Sequence, residues 1–338
     1  LKSANVFSYL QHAEEYGLKA EKVDKDFDAV VTRSRGVADG MSKGVQFLMK
    51  KNKITVFMGQ ATLAGKGKVA VKTDKGAEDL TAKNIVVATG ARARELPGLE
   101  ADGDLVWTYK HALQPPRMPK KLLVIGSGAI GIEFASFYND LGAEVTVVEA
   151  LPRILPVEDE EISGIAHKQF EKQGFTIHVN ATVSSLEKGD DEVTATITPE
   201  SGEATVATFD RVILAVGIVG NVENLGLEGT GVEVDRTHIV TNEWTETGEA
   251  GVYAIGDVAG PPWLAHKATH EGILCADRIA GSSGLHPMKP ERIPGCTYCR
   301  PQIASVGLTE AAAKTAGREI RIGRFPFRGN GKAIALGE

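Results

Sequence analysis

Three cysteines in 338 residues are too few for a disulfide-stapled secreted scaffold. A reducing compartment is therefore expected: cytoplasmic, or the mitochondrial matrix in a eukaryote. No apolar run reaches the roughly 20 residues of a membrane span, so no membrane contact is expected. Basic residues nowhere form a block and the formal net charge is -6, so the electrostatic footprint of a nucleic-acid surface is missing. An initiator methionine is also missing. The stretch LKSANVFSYLQHAEEYG begins at Leu1 as a helical pattern with neither cap nor strand ahead of it, so the lack of a leader there carries no weight.

What the chain does hold is an ordinary globular composition, 42% hydrophobic and 24% charged, in a length that suits two or three domains. Its most informative stretch is Leu122 to Glu149, LLVIGSGAIGIEFASFYNDLGAEVTVVE. Leu122 to Ile125 has the length of a buried parallel strand, and Gly126, Gly128 and Gly131 make a G-x-G-x-x-G turn directly behind it, with Ser127, Ala129 and Ile130 between them. Gly126 suits a tight turn, Gly128 a close backbone approach to a pyrophosphate, and Gly131 close packing of helix on strand. Glu149 follows about 20 residues later at the end of the next strand. A carboxylate there accepts hydrogen bonds from a ribose 2'-hydroxyl and repels a 2'-phosphate, which favours NAD over NADP.

Upstream, a second helix is predicted from Phe27 to Lys51, with Val30, Val37, Met41, Val45 and Leu48 on a three-four spacing and lysines at its C-terminal end. From Ile54 to Thr81 the texture turns to short strands, ITVFMGQATLAG, KVAVKT and EDLTA, separated by glycine turns, and reads as an antiparallel meander. NIVVATG (Asn84 to Gly90) is an apolar strand ending in Thr-Gly, and ARARELPGLEADGD after it reads as a loop. Prolines 115, 116 and 119 mark a linker. Beyond Glu149 the plan repeats, with a helix from Asp159 to Gln173, a meander, and the strand DRVILAVG ending at Gly217. That echo suggests two similar nucleotide-binding modules. A third strand, GVYAIGDV, delivers Gly256 and Asp257 to its carboxyl edge. A helix follows from about Leu264, with Ala265 and His266 in its opening turn, whose free N-H groups suit an electron-rich ligand edge. Strand-like RIPGCTYCRPQIASVGL and a helix from Thr309 to Ala316 close the readable part.

LLVIGSGAIGIEFASFYNDLGAEVTVVEALPRILP, VYAIGDVAGPPWLAHKATHEG and PQIASVGLTE resemble, in order and spacing, segments of the flavin-dependent pyridine nucleotide disulfide oxidoreductases. The resemblance covers essentially the whole chain. It implies an α/β fold with two Rossmann-like dinucleotide-binding domains, each with a small antiparallel meander, and the start of an α+β interface domain. The FAD domain would be split, into residues 1–114 without its N-terminal βαβ unit and residues 239–288, by an NAD domain at 115–238. Residues 289–338 would open the dimer-interface domain of a homodimer. Both FAD and NAD are implied as cofactors. Carried over by position, Glu133 would lie near the nicotinamide, although a bare acid there is also ordinary in a helix's first turns. Val183 and Ala215, Val216 and Gly217 would contact the rest of the NAD. Asp257 would hold the ribityl chain of FAD, Ala265 would offer it a backbone N-H, and Thr89, Gly90 and Ala61 would line it, Ala61 standing where glycine is common.

The resemblance further implies oxidation of a dihydrolipoamide carried on the lipoyl domain of a 2-oxo acid dehydrogenase complex, with electrons passing through an enzyme disulfide and FAD to NAD. The family's redox cysteine pair and flavin-contacting lysine are expected ahead of Leu1 and its acid-base His/Glu pair beyond Glu338, so no catalytic residue is assigned and the chain reads as a central portion of the enzyme. A non-catalytic NAD(H)-binding fragment and a sibling FAD-dependent disulfide reductase stay open as alternatives. Cys296 and Cys299 form a C-x-x-C, but on an extended strand such residues stand roughly 10 Å apart on opposite faces. A disulfide needs α-carbons within about 7 Å. Zinc would want four ligands, and Cys275 is the only other thiol, so no metal is expected. His266 and His270 read more readily as structural histidines than as flavin partners.

Overall fold

The computed structural model describes residues 1–337. Glu338, the last residue of the expected interface domain, lies outside the described residues. In chain order, helices α1 (Lys2–Gln11) and α2 (Phe27–Lys51) precede strands β1 (Gln60–Leu63), β2 (Lys68–Thr73), β3 (Gly76–Thr81), β4 (Ile85–Val87), β5 (Ala91–Ala93) and β6 (Val106–Trp107). The short helix α3 (Tyr109–Ala112) leads to β7 (Lys121–Ile125), α4 (Ala129–Asp140), β8 (Glu144–Val148), α5 (Glu160–Lys172) and β9 (Thr176–His178). Next come β10 (Ala181–Lys188), β11 (Val193–Pro199), β12 (Thr205–Phe209), β13 (Arg211–Leu214), β14 (Ile218–Gly220), β15 (Val234–Asp235), β16 (His238–Ile239) and β17 (Val252–Ala254). The chain continues through α6 (Ala265–Ala280), β18 (Gly295–Thr297), β19 (Ile303–Ser305), α7 (Glu310–Thr315) and α8 (Gly331–Leu336).

Two compact units divide these elements. The first comprises Leu1–Val30, Glu95–Gly217 and Pro294–Glu338, the second Val31–Arg94 and Ile218–Ile293. The first is built on a parallel sheet of order β6-β13-β7-β8-β9. Its central strands are apolar on both faces because both faces are covered: Leu122, Leu123 and Val124 of β7 and Val212 and Ile213 of β13 are completely buried, Leu122, Val124 and Ile213 in a cluster with helices α4 and α5, and Leu123 and Val212 in a cluster with the meander β10-β11-β12. Helix α4 buries Ile132, Ala135 and Tyr138, and α5 buries Ser163, Ala166 and Phe170 at helical spacing. Asp159 caps α5 by accepting from Glu161 N at 3.1 Å. Tyr138 sits at the centre of this core, its hydroxyl donating to Ala112 O at 2.8 Å, with Trp107, Phe134 and Phe137 around its ring. Desolvation raises its phenol well above the ordinary value.

The second unit repeats the plan on a smaller scale. An antiparallel meander β1-β2-β3 precedes β4, as the meander β10-β11-β12 precedes β13, and β4 pairs in parallel with β17. The echo between NIVVATG and RVILAVG is therefore a real repeat of meander followed by parallel strand. Three readings need correction. ARARELPGLEADGD is not all loop, since Ala91–Ala93 pairs antiparallel with Ile218–Gly220. The ITVFMG part of the first meander segment forms no strand, because strand structure requires a ladder partner and only Gln60–Leu63 finds one, in β2. RIPGCTYCRPQIASVGL is a short hairpin, β18 against β19, rather than one strand. Helix α2 spans the residues predicted, but none of its residues is buried, and Val37, Met41, Val45 and Leu48 are all exposed. Among the described residues no helix is long and apolar enough to cross a membrane.

Candidate functional site

Strand order places the Gly126 turn where the chain connections of the sheet reverse direction. From β7 the chain proceeds to β8 and β9 on one side, and returns as β13 on the other. Between β7 and β13, at the carboxyl ends, the connections run in opposite directions, which is where open parallel sheets bind ligands. Gly126 and the segment Ala215, Val216 and Gly217 meet there, with Ala215 N donating to Ile125 O at 2.8 Å. Gly126 has φ +96°, and a Cβ on it would lie 2.4 Å from Ala215 O; a Cβ on Gly131 would lie 2.1 Å from Gly126 O. These two glycines are thus fixed by backbone packed on backbone. Gly128 differs, for its Cβ would meet nothing within 4 Å. It is also the N-cap of α4, which has no side-chain cap and no acid in its first turn, and Ala129 and Ile130 behind it are exposed. The open N-H groups and the space at Gly128 fit a pyrophosphate.

Glu149 is buried, with 7% of its surface accessible, and its carboxylate is tied to the same turn. Oε2 accepts from Ser127 N at 2.9 Å and from Ser127 Oγ at 2.6 Å, and Oε1 accepts from Leu151 N at 2.9 Å. A carboxylate has about four acceptor positions, so one remains on Oε1 for a ribose hydroxyl. The sequence pattern places Ser127 in the nucleotide-binding turn; the structure makes it also the completely buried partner of Glu149. Glu133, one turn further along α4, accepts from Tyr298 N at 2.8 Å. Burial pushes its carboxyl above the usual range, against that bond. Val183 is 7% accessible and belongs to a core cluster with Ile125 and Val148, so its side chain packs inward.

In the second unit the paired strands β4 and β17 deliver Thr89, Gly90, Gly256 and Asp257 to one edge. Asn221 N donates to Gly90 O at 2.9 Å, Asn221 Nδ2 to Thr89 O at 2.8 Å and Thr89 Oγ1 to Asn221 O at 2.7 Å. Arg92 joins this network through Gly220 O, Asn221 and a two-pronged pair with Glu223. The Asp257 carboxylate is half-buried and makes no hydrogen bond to another described residue. Leu264 caps α6 without a side-chain bond, and Ala265 and His266 in its first turn are exposed. An open carboxylate and an uncapped helix start fit the hydroxyls and the electron-rich ring edge of a flavin nucleotide. Ala61 lies in a different sheet, exposed in β1 opposite Val71. His270 is exposed on α6. Beside the edge, Trp263 Nε1 donates to His238 Nε2 at 3.1 Å; desolvation, then Lys267 and Arg94, hold the His238 imidazole below its ordinary value.

Cys296 lies in β18, while Cys299 stands past the strand end at a bend, so the argument from a continuous strand does not apply. Cys299 is buried, its thiol donates to Pro301 O at 3.0 Å, and desolvation pushes it up to about 12. All three cysteines are free thiols, and no group of three or more His, Cys, Asp or Glu among the described residues could hold a metal.

Comparison with known proteins agrees with this geometry. Residues 4–272 match the family described as pyridine nucleotide-disulphide oxidoreductase, and residues 293–338 match the dimerisation domain of the same family. The chain is 53% identical to the dihydrolipoyl dehydrogenase of Rhizobium etli, covering 100% of this chain and 74% of that protein. It is 38% identical to the dihydrolipoyl dehydrogenase of Bacillus subtilis, covering 100% and 73%. Among solved structures, LpdA from Mycobacterium tuberculosis superimposes with a TM-score of 0.90 at 25% identity, over 99% of this chain and 72% of that one. With a parallel sheet whose connections reverse beside a glycine turn, a second parallel pair ending in Gly-Asp, and a family match over most of its length, the chain belongs to the pyridine nucleotide-disulphide oxidoreductases.

Proposed function

We propose that this chain carries the nucleotide-reducing part of a dihydrolipoamide dehydrogenase, which oxidises dihydrolipoamide on a lipoyl domain of a 2-oxo acid dehydrogenase complex and reduces NAD+. FAD and NAD are the cofactors of this family. The observation that carries the reading is the turn from Gly126 to Gly131, open at Gly128 and closed behind by Glu149. Its N-H groups take the pyrophosphate, and the buried carboxylate takes the adenosine ribose and repels a 2'-phosphate. Ala215, Val216 and Gly217 form the opposite wall, and Glu133 approaches the nicotinamide. Asp257, Thr89 and Gly90, with the N-H groups of Ala265 and His266, hold FAD. When bound, FAD would supply a two-electron carrier between the enzyme's disulfide chemistry and NAD+. The protein orients the two rings and keeps water from them. None of the chain's three thiols is assigned to the exchange with dihydrolipoamide: Cys275 and Cys299 are buried and Cys299 is held protonated.

In this reading residues 115–238 are the NAD domain, 1–114 and 239–288 the two parts of the FAD domain, and 289–338 the start of the surface through which two copies pair. Titrating the enzyme with NADH and NADPH tests it. NADPH is expected to bind at least about tenfold more weakly, the effect of one misplaced charge; equal affinities would overturn the role of Glu149. Absence of dihydrolipoamide-dependent NAD+ reduction in the flavin-loaded enzyme would overturn the substrate.

A further inference from the structure

Lys267 and Glu271 lie one turn apart on α6, and both are buried, at 5% and 9% of their accessible surface. Their side chains pair at 2.8 Å between Lys267 Nζ and Glu271 Oε1. Every remaining bond they make goes to one short segment. Lys267 Nζ donates to Gly256 O at 3.3 Å and to Gly260 O at 3.0 Å, and Glu271 Oε2 accepts from Gly256 N at 2.7 Å. An ammonium has three donors, and all three are spent: one on the carboxylate and two on the ends of the turn Gly256–Ala259 and its following residue. That turn carries Asp257.

Helix stability does not account for this arrangement. A lysine placed four residues before a glutamate is the less favourable order for a helix pair. Burying two charges costs desolvation that their attraction often only balances, and an apolar pair of similar size is frequently as stable. What the pair does supply is geometry. Gly256 has φ +74°, a conformation without intrinsic preference to persist, and the pair grips its N-H and its carbonyl from one side while holding Gly260 from the same ammonium.

We infer that Lys267 and Glu271 are positioning residues for FAD, clamping the Gly256–Gly260 turn in the shape that presents Asp257 to the flavin nucleotide. This rests on the reading of Asp257 as an FAD contact. The test measures FAD dissociation constants by flavin fluorescence on the reconstituted enzyme, with NADH affinity as the internal control. Glu271→Gln keeps an acceptor for Gly256 N but leaves the ammonium without its counter-charge. It is expected to weaken FAD by about tenfold to hundredfold, the range for losing a charged hydrogen bond, with NADH affinity moved less than about twofold. Lys267→Met/Glu271→Leu removes both charges at similar volume; it should fold and should also weaken FAD by at least about tenfold. Asp257→Ala separates the two claims. If it loosens FAD while the double variant binds FAD as tightly as the parent, the clamp is wrong. If Asp257→Ala leaves FAD binding unchanged, the assignment of Asp257 fails instead, and the clamp for FAD falls with it.

Discussion

The turns at Gly126 and at Gly256 both follow a parallel strand and both end at a helix, but they are held in different ways. In the first, main chain lies against main chain, so that a single added carbon at Gly131 would stand 2.1 Å from a carbonyl oxygen. In the second, a Cβ on Gly256 would approach only the Ala268 methyl, at 3.3 Å, and the shape is kept by the side chains of Lys267 and Glu271. A backbone-packed turn is rigid and intolerant of any side chain. A side-chain-held turn tolerates bulk but depends on two charges staying paired.

The sharpest way to break this contrast is Gly131→Ala. No flexible group can retreat from the new methyl, so unfolding stability should fall by about 3 kcal/mol or more, at the upper end for overpacking, as read from the denaturant midpoint. Gly256→Ala should cost less, about 1–2 kcal/mol, which is the strain of a left-handed backbone at a non-glycine residue; a loss as large as that of Gly131→Ala would erase the distinction. Gly128→Ala refines the comparison within the first turn. Its Cβ projects into open space, so stability should stay within about 0.5 kcal/mol, while NADH affinity falls about tenfold as the methyl takes the place of a phosphate oxygen. Unchanged NADH binding in a stable Gly128→Ala protein would show that the turn holds no pyrophosphate.

The difference also explains what could be read in advance. Backbone packing forces glycine at 126 and 131, and with Gly128 between them the three are visible as a pattern, as are the strand lengths on either side. The end of β17 at Gly256 and Asp257 is visible as an apolar strand that runs into Gly-Asp. Lys267 and Glu271 were not, because an i, i+4 pair of opposite charges on a helix is the common dress of a solvated face; only the fold reveals that this face turns inward. Ser127 reads from the pattern as part of the nucleotide turn, but its bond to Glu149 does not, because the two are distant in sequence though 2.6 Å apart in space. The antiparallel pairing of Ala91–Ala93 with Ile218–Gly220 was hidden likewise: three alternating residues carry too little period to distinguish strand from loop. Conversely, α2 shows that periodicity can predict a helix while saying nothing of what covers its apolar row.

The pairing of β4 with β17 bears on the order in which the molecule is made. Strand β7, helix α4 and strand β8 lie in one continuous stretch, so the Gly126 turn begins with local closure, and Ala215 packs on it once β13 has been synthesised. Ile85, by contrast, must wait for Val252, and the whole stretch that forms the parallel sheet of the first unit is synthesised in between. Closing so long a loop is slow relative to local contacts. β4 therefore finds its parallel partner β17 only after the residues of the Gly126 site, up to Gly217, exist.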